Sequence, residues 1–488
     1  VNKPLRRIAI FCGLLILTLL LRANWLQYVQ AEELATRKEN RRVQIAQYAS
    51  ERGNIIVGDK AITGSAVTDG SDYKYKRTYI DGPMWAPVTG FASQAFGSTQ
   101  LESLEDGILT GNDDRLFFDR TIGMFTGEKK AGGNVRTTLN RAAQVAAYKG
   151  LGKKTGAVAA IDPRTGAILA LVSTPSYDPS SFAGNSKKDE KAWVELKDGK
   201  EKALVNRALR ETYPPGSTFK VVTSAAALEH GVITDVEAPT DTPEPFYLPT
   251  TRTPMVNHAH GCEKASLKHA LEISCNSVFA NVADKVGRDK MLETAEKFGF
   301  NNGKIDTPVR AYASVYDKEM DRPSNSLSAI GQYNTAATPL QMAMVAAAVA
   351  NDGKLMKPYM VDELTAPNLD VLEKTEPEEM SRPLSPENAQ KLQDMMVSVV
   401  ENGTGKVAKI DGVSVGGKTG TAQHGERNSK RPYAWFISYA KTDKGSPVAV
   451  AVVVEDAGAS VDREDITGGG LAGPIAKDVM EAVLKSQG

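Results

Sequence analysis

Apolar positions along this chain fall into three regimes. In the first, residues 8–21 (IAIFCGLLILTLLL) run without a charge and follow Lys3, Arg6 and Arg7. Fourteen helical residues rise only about 21 Å against a hydrocarbon core of about 30 Å, but continuation to Tyr28 brings the rise to about 31 Å. Arg22 can then snorkel outward, with Trp25 and Tyr28 at the depth of an interfacial aromatic belt. No small-x-small cleavage pattern follows, so residues 8–28 are predicted to form an uncleaved signal anchor in the cell membrane. Basic residues before the span, and the mixed Arg22, Glu32, Glu33 and Arg37 after it, predict a cytoplasmic tail at 1–7 and an extracytoplasmic remainder.

The second regime, 32–134, alternates weakly, as in Asn54-Ile55-Ile56-Val57, and is punctuated by glycines; it predicts a small mixed domain without a chemical constellation. The string Lys129-Lys130-Ala131-Gly132-Gly133 marks its junction with the third regime, 135–488, where the periods sharpen. Strands are predicted at 135–138, 156–161, 167–172 and 447–454, with the Pro-Gly turn at 161–166 making a hairpin of the middle pair. Helices are predicted at 140–150, 220–229, 265–284, 339–350 and 471–485. This mixture predicts an α/β (α+β) fold with a central antiparallel sheet flanked by helices. Residues 175–206, 232–261 and 364–387 are predicted to be long loops, the last a solvated acidic face.

Composition narrows the function. Lys plus Arg and Asp plus Glu both number 59, so the formal charge is zero and nothing attracts a polyanion; nucleic-acid binding is excluded. Three cysteines are too few for a disulfide framework. Cys12 lies in the apolar run, whereas Cys262 and Cys275 lie thirteen residues apart in the extracytoplasmic part and can pair. The cluster Asn257-His258-Ala259-His260-Gly261-Cys262 matches no standard metal-ligand spacing and is expected to be a solvated loop, so neither metal nor cofactor is expected.

A nucleophilic serine needs a base on the same helical face, and Ser-x-x-Lys supplies one without histidine. Three pairs have that spacing: Ser71 with Lys74, Ser217 with Lys220, and Ser438 with Lys441. The first lies in a polar loop or strand, and the third in an apolar strand whose i+3 residue faces the other way. Ser217 alone opens a predicted helix, after Tyr213-Pro214-Pro215-Gly216, where it is either a simple N-cap or a nucleophile with first-turn amides beside it. Ser-x-Asn occurs once, at Ser274-Cys275-Asn276. Lys-Thr-Gly occurs twice, at 154–156 and at Lys418-Thr419-Gly420, the second followed by Thr421 among small residues that let a substrate approach a strand edge.

In that order the three motifs resemble the penicillin-binding proteins and serine β-lactamases. Arg52-Gly53-Asn54-Ile55, Ile330-Gly331-Gln332, Thr338-Pro339-Leu340-Gln341-Met342-Ala343, Gly403-Thr404-Gly405 and Ala434-Trp435-Phe436 extend the resemblance over residues 50–480, toward class B penicillin-binding proteins of the short actinobacterial A type. Two departures are Val57-Gly58-Asp59-Lys60 after the Arg-Gly box and Cys275 within Ser-x-Asn. The resemblance implies Ser217 as acylated nucleophile, Lys220 as its base, and Ser274 as proton relay. It further implies Asn276 on the donor amide, and Lys418, Thr419, Gly420 and Thr421 around the donor carboxylate, with the Ser217 and Thr421 amides as oxyanion hole. It implies D,D-transpeptidation of peptidoglycan stem peptides with loss of D-alanine, acylation by β-lactams, and a role in cell-wall synthesis and division. Residues 32–134 leave no room for a glycan polymerase, which implies partner polymerase and division proteins. A membrane-anchored β-lactamase, a β-lactam sensor and a non-catalytic division scaffold share the same motifs.

Overall fold

Strands that bury both faces carry apolar residues at odd and even positions alike, and such strands organise the larger part of the molecule. The structure, a computed structural model, describes residues 2–36, 41–69, 71–117 and 130–487, with 121, 123 and 125 besides; Arg37 of the expected flank and Lys129 of the expected junction lie outside the described residues. Strands β1 (Thr155–Ile161), β2 (Ile168–Thr174), β3 (Ser414–Ala422), β4 (Tyr433–Thr442) and β5 (Gly445–Asp456) form an antiparallel sheet in the order β3, β4, β5, β1, β2. Along β5, Ala449, Ala451 and Val453 enter one core with the helices Lys220–Glu229, Pro339–Ala350 and Pro386–Glu401. Val448, Val450, Val452 and Val454 enter the other with the helices Arg141–Leu151 and Gly473–Gln487. The expected sandwich of helices about an antiparallel sheet is what forms, with β3 at its edge.

Helix Pro339–Ala350 is apolar all round and buried throughout, as a helix with no polar face must be. Thr338 caps it by accepting from the Gln341 amide, and proline stands at its first position. The expected helix 265–284 is two helices, Leu267–Glu272 and Asn276–Val286, broken where Ser274 turns to φ +65°. Apolar spacing continues across the break, which hides it from a periodicity reading. The expected loop 175–206 contains the helix Lys187–Lys197, opened by a capping box between Ser186 and Asp189.

The acidic stretch 364–387 is likewise no plain loop. Val361–Thr365 and Val371–Lys374 join a second five-stranded sheet with Asn134–Thr137, Ile55–Val57 and Lys60–Ala61. Within it, Asn134–Thr137 runs parallel to Ile55–Val57 and antiparallel to Val361–Thr365, so this sheet spans the expected 134/135 junction. Beside it lies a buried ionic cluster. Arg52 Nε and Arg77 Nε each donate to Glu102 at 2.6 Å, and Arg52 Nη1 donates to Asp106 at 2.6 Å. Burial alone would raise the Glu102 carboxyl, but the charges and hydrogen bonds of Arg77 and Arg52 outweigh it and hold the group below the ordinary range.

At the N-terminus the helix Asn2–Asn24 continues as a π turn, Trp25–Val29. The segment Lys3–Val29 reaches a mean hydropathy of 2.0 over a window that is nowhere buried among the described residues, and is long and apolar enough to cross a membrane.

Candidate active site

The serine turn is built by proline and glycine. Pro214-Pro215 bring the chain in, and Gly216 takes φ +54°, a left-handed conformation costly to other residues. A 3-10 turn, Gly216–Phe219, then leads into the helix Lys220–Glu229. Ser217, expected to open the helix, thus stands in one turn of 3-10 just ahead of it, while the α-helix covers the expected 220–229. The turn is fixed from three sides: Gly216 N donates to Gly331 O at 3.0 Å, Trp435 Nε1 to Pro214 O at 3.0 Å, and Thr218 Oγ1 to Pro215 O at 2.7 Å.

Lys220 is fully buried, and its Nζ donates to Ser274 O and Asn276 Oδ1, both at 2.8 Å, with Ser274 Oγ at 3.2 Å. Lys418 comes from the edge strand β3, where its backbone pairs with Ile437; its Nζ donates to Ser274 Oγ at 2.9 Å and Thr419 O at 3.0 Å. One hydroxyl therefore sits between two buried amines. Burial lowers Lys418 to about 7. Burial, reinforced by the Lys418 charge, pushes Lys220 well below the ordinary lysine value. A neutral Lys220 has two N–H groups, which the two oxygens at 2.8 Å occupy, and one lone pair left for a hydroxyl proton.

Ser217, Ser274, Asn276, Thr419, Gly420 and Thr421 line one cleft of about 1140 Å³. The three motifs of the resemblance are thus gathered at one cavity, with Lys220 and Lys418 buried beside it and reaching it through Ser274 Oγ, to which both donate. Among the described residues Ser217 Oγ has no hydrogen-bond partner, leaving it free for a ligand in the cleft.

The penicillin-binding protein transpeptidase domain matches residues 156–481, and the penicillin-binding protein A dimerisation domain matches residues 52–135. The chain belongs to the penicillin-binding protein transpeptidase family. It is 40% identical to the peptidoglycan D,D-transpeptidase PbpA of Mycolicibacterium smegmatis, over 99% of both chains, and 40% identical to PbpA of Mycobacterium tuberculosis over the whole of both. Among solved structures, the ceftriaxone acyl-enzyme complex of penicillin-binding protein A from M. tuberculosis superposes with a TM-score of 0.84 at 39% identity, covering 90% of this chain and 100% of that one. The penicillin G acyl-enzyme complex of the same protein gives 0.83 at 40% identity, covering 89% and 100%.

In this penicillin-binding transpeptidase the lysines of the two rejected pairs and of the first Lys-Thr-Gly copy have other partners. Lys74 lies over the Tyr75 ring, Lys441 donates to Gln393 Oε1 at 2.6 Å, and Lys154 donates to Gly150 O at 3.2 Å. Cys262 and Cys275 are joined by a disulfide, with Cα atoms 5.7 Å apart and both side chains buried. Among the described residues no group of His, Cys, Asp or Glu is placed to hold a metal, and His258 instead lines the cleft.

Three contributors were given no role at the site by the sequence reading. Thr404, from the Gly-Thr-Gly segment, places its Oγ1 2.7 Å from Thr419 Oγ1. Gly468 lies against the Lys-Thr-Gly strand so closely that a Cβ there would come within 2.7 Å of Gly420 O; a run of three glycines at 468–470 was its only mark. Asn257 ties the loop before the disulfide to the Ser-x-Asn turn, accepting from the Asn276 amide at 2.8 Å.

Proposed function

We propose that the chain is a serine D,D-transpeptidase that cross-links peptidoglycan stem peptides through an acyl-enzyme on Ser217, and that β-lactams acylate the same atom. The observation that carries this reading is the Lys220–Ser274–Lys418 arrangement beside the cleft that Ser217 lines: a buried amine pushed toward its neutral form by burial and the Lys418 charge, and a hydroxyl supported by a second amine.

Lys220 takes the Ser217 hydroxyl proton as Oγ attacks the penultimate D-alanine carbonyl of the donor. The amides of Ser217 and Thr421 hold the developing oxyanion. The proton passes through Ser274 to the departing nitrogen, the C–N bond breaks, and D-alanine leaves. An amine from a neighbouring stem then attacks the ester, its proton returns by way of Lys220, and Ser217 recovers its hydroxyl hydrogen. Thr419 and Thr421, with Lys418 behind them, receive the donor's terminal carboxylate, and Asn276 the donor peptide's amide. The edge position of β3 supports this, since its outer backbone groups can pair with an extended peptide.

The N-terminal helix anchors the chain in the cell membrane with its tail in the cytoplasm and the cleft outside, where peptidoglycan is assembled. A separate glycan polymerase supplies the strands, and division proteins recruit the pair; failure of the full chain to co-purify with either from cross-linked membranes would count against recruitment. Penicillin treatment of the full chain, with mass spectrometry of its peptides, is expected to place one adduct on the peptide containing Ser217 and none in Ser217→Ala. An adduct elsewhere, or one that survives Ser217→Ala, would reject the nucleophile.

A further inference from the structure

A helix begins with amides that have no partner inside it, and the residue before it normally offers a side-chain oxygen to them. The helix Asn276–Val286 cannot use that device. Its preceding residue is Cys275, whose sulfur is committed to Cys262 and makes no cap. The acceptor comes from a distant part of the chain instead. Asn257 Oδ1 accepts from the Asn276 amide at 2.8 Å and from the Ser277 amide at 3.0 Å. Its Nδ2 donates to Ser277 Oγ at 2.8 Å and to Glu244 Oε1 at 3.3 Å.

The neighbouring carbonyl completes the arrangement. Asn276 Nδ2 donates to Val256 O at 2.8 Å. A carbonyl can only accept, so it selects the NH2 end of the Asn276 side chain and leaves Oδ1 facing Lys220 Nζ, 2.8 Å away. That contact occupies one of the two N–H groups of neutral Lys220 and so directs the remaining lone pair. Asn257 holds Val256 in register with Asn276, because its own hydrogen bonds to positions 276 and 277 pin the strap 256–257 against the helix start.

We infer that Asn257 is a positioning residue for the acylation step: it caps the Ser-x-Asn helix from outside and, through Val256 and Asn276, orients the amine of Lys220. This rests on the reading of Ser217 as nucleophile, which labelling of the native chain checks by itself.

Two measurements on the full chain, disulfide intact, test the inference. In the first, hydrogen exchange at the Asn276 and Ser277 amides, which needs no substrate, is expected to speed up in Asn257→Ala. It is expected to stay near native in Asn257→Asp, which keeps the acceptor oxygen. In the second, loss of one hydrogen bond's worth of orientation is expected to slow acylation by a fluorescent penicillin roughly tenfold in Asn257→Ala, with Asn257→Asp restoring most of the rate. In an Asn276→Ala background the same Asn257→Ala change is expected to alter the rate by less than about twofold, because the route through Asn276 is already cut. Unchanged exchange in Asn257→Ala overturns the cap. Full additivity of the two substitutions, or an Asn257→Ala rate within about twofold of native, overturns the orienting role. Should Asn257→Ala not fold, Asn257→Asp decides: native-like exchange and rate support the inference, and an Asn257→Asp rate as low as that of Asn276→Ala overturns it.

Discussion

Near the N-terminal sheet, Arg52, Arg77 and Glu102 are buried with opposite charges touching; at the edge of the central sheet, Lys220 and Lys418 are buried with two amines of like charge type facing one hydroxyl. Both arrangements remove ionisable groups from water, and they answer the desolvation cost in opposite ways. In the first, each charge is matched, so Glu102 stays ionised and its proton affinity falls. In the second nothing negative is supplied, so the amines give up protons: Lys418 falls to about 7 and Lys220 lower than its ordinary value by a wide margin. Paired burial holds structure together; unpaired burial produces a base. Stability and reactivity are therefore separable in this chain by choice of cluster.

The largest expected effect follows from the unpaired cluster. Lys220→Met is expected to slow acylation about 10²–10⁴-fold, the range of a lost general base, while the unfolding free energy does not fall. Rapid-quench labelling and urea denaturation on the same sample check both halves, and a large stability loss would break the contrast. The matched cluster predicts the reverse. Glu102→Gln leaves two buried guanidiniums short of a negative partner and is expected to cost about 3–5 kcal/mol of stability, with native labelling rates in the fraction that remains folded. A stable Glu102→Gln protein would show that the ion pairs contribute little.

The smallest effect is a difference in sign with pH. Because folding lowers Lys418 from 10.5 to about 7, the unfolded chain binds a proton there that the folded chain does not across that interval. The penalty is fully present below about 7 and is relieved as pH rises toward 10.5, so native stability should gain on Lys418→Met over that window. Glu102, depressed by folding, contributes stability above the ordinary carboxylate range that is lost as pH falls through its lowered value. Parallel alkaline stability profiles for the native chain and Lys418→Met would refute the lysine half.

Legibility in the sequence tracked whether a feature is local. Strand 447–454 and helix 339–350 were readable because burial on every side leaves an unbroken apolar string. The hairpin 156–172 announced itself through its Pro-Gly turn. The second sheet was not readable, because its pairing joins Asn134–Thr137 to a strand more than two hundred residues later that looks merely acidic. The Lys187–Lys197 helix had a readable cap in Ser186 and Asp189, obscured by its charged composition. At the cleft, Ser217, Lys220, Ser274, Asn276 and Lys418 stood out by motif, since each motif is short and contiguous. Asn257 did not, because its partners lie nineteen and twenty residues away and no spacing rule links a loop asparagine to the helix it caps.

The shared second sheet has a mechanical consequence. The N-terminal segment joins the folded body through Gln47, Tyr48 and Arg52 and then through Ile55–Val57, whose rungs connect across Asn134–Thr137 to Val361–Thr365, so several hydrogen bonds would share a pull on that segment. A fragment trimmed to begin after position 137 would strip that neighbour from Val361–Thr365 and leave a bare rim ready to recruit other molecules into aggregates. Soluble material for inhibitor work should therefore start ahead of Arg52 and not at the catalytic half alone.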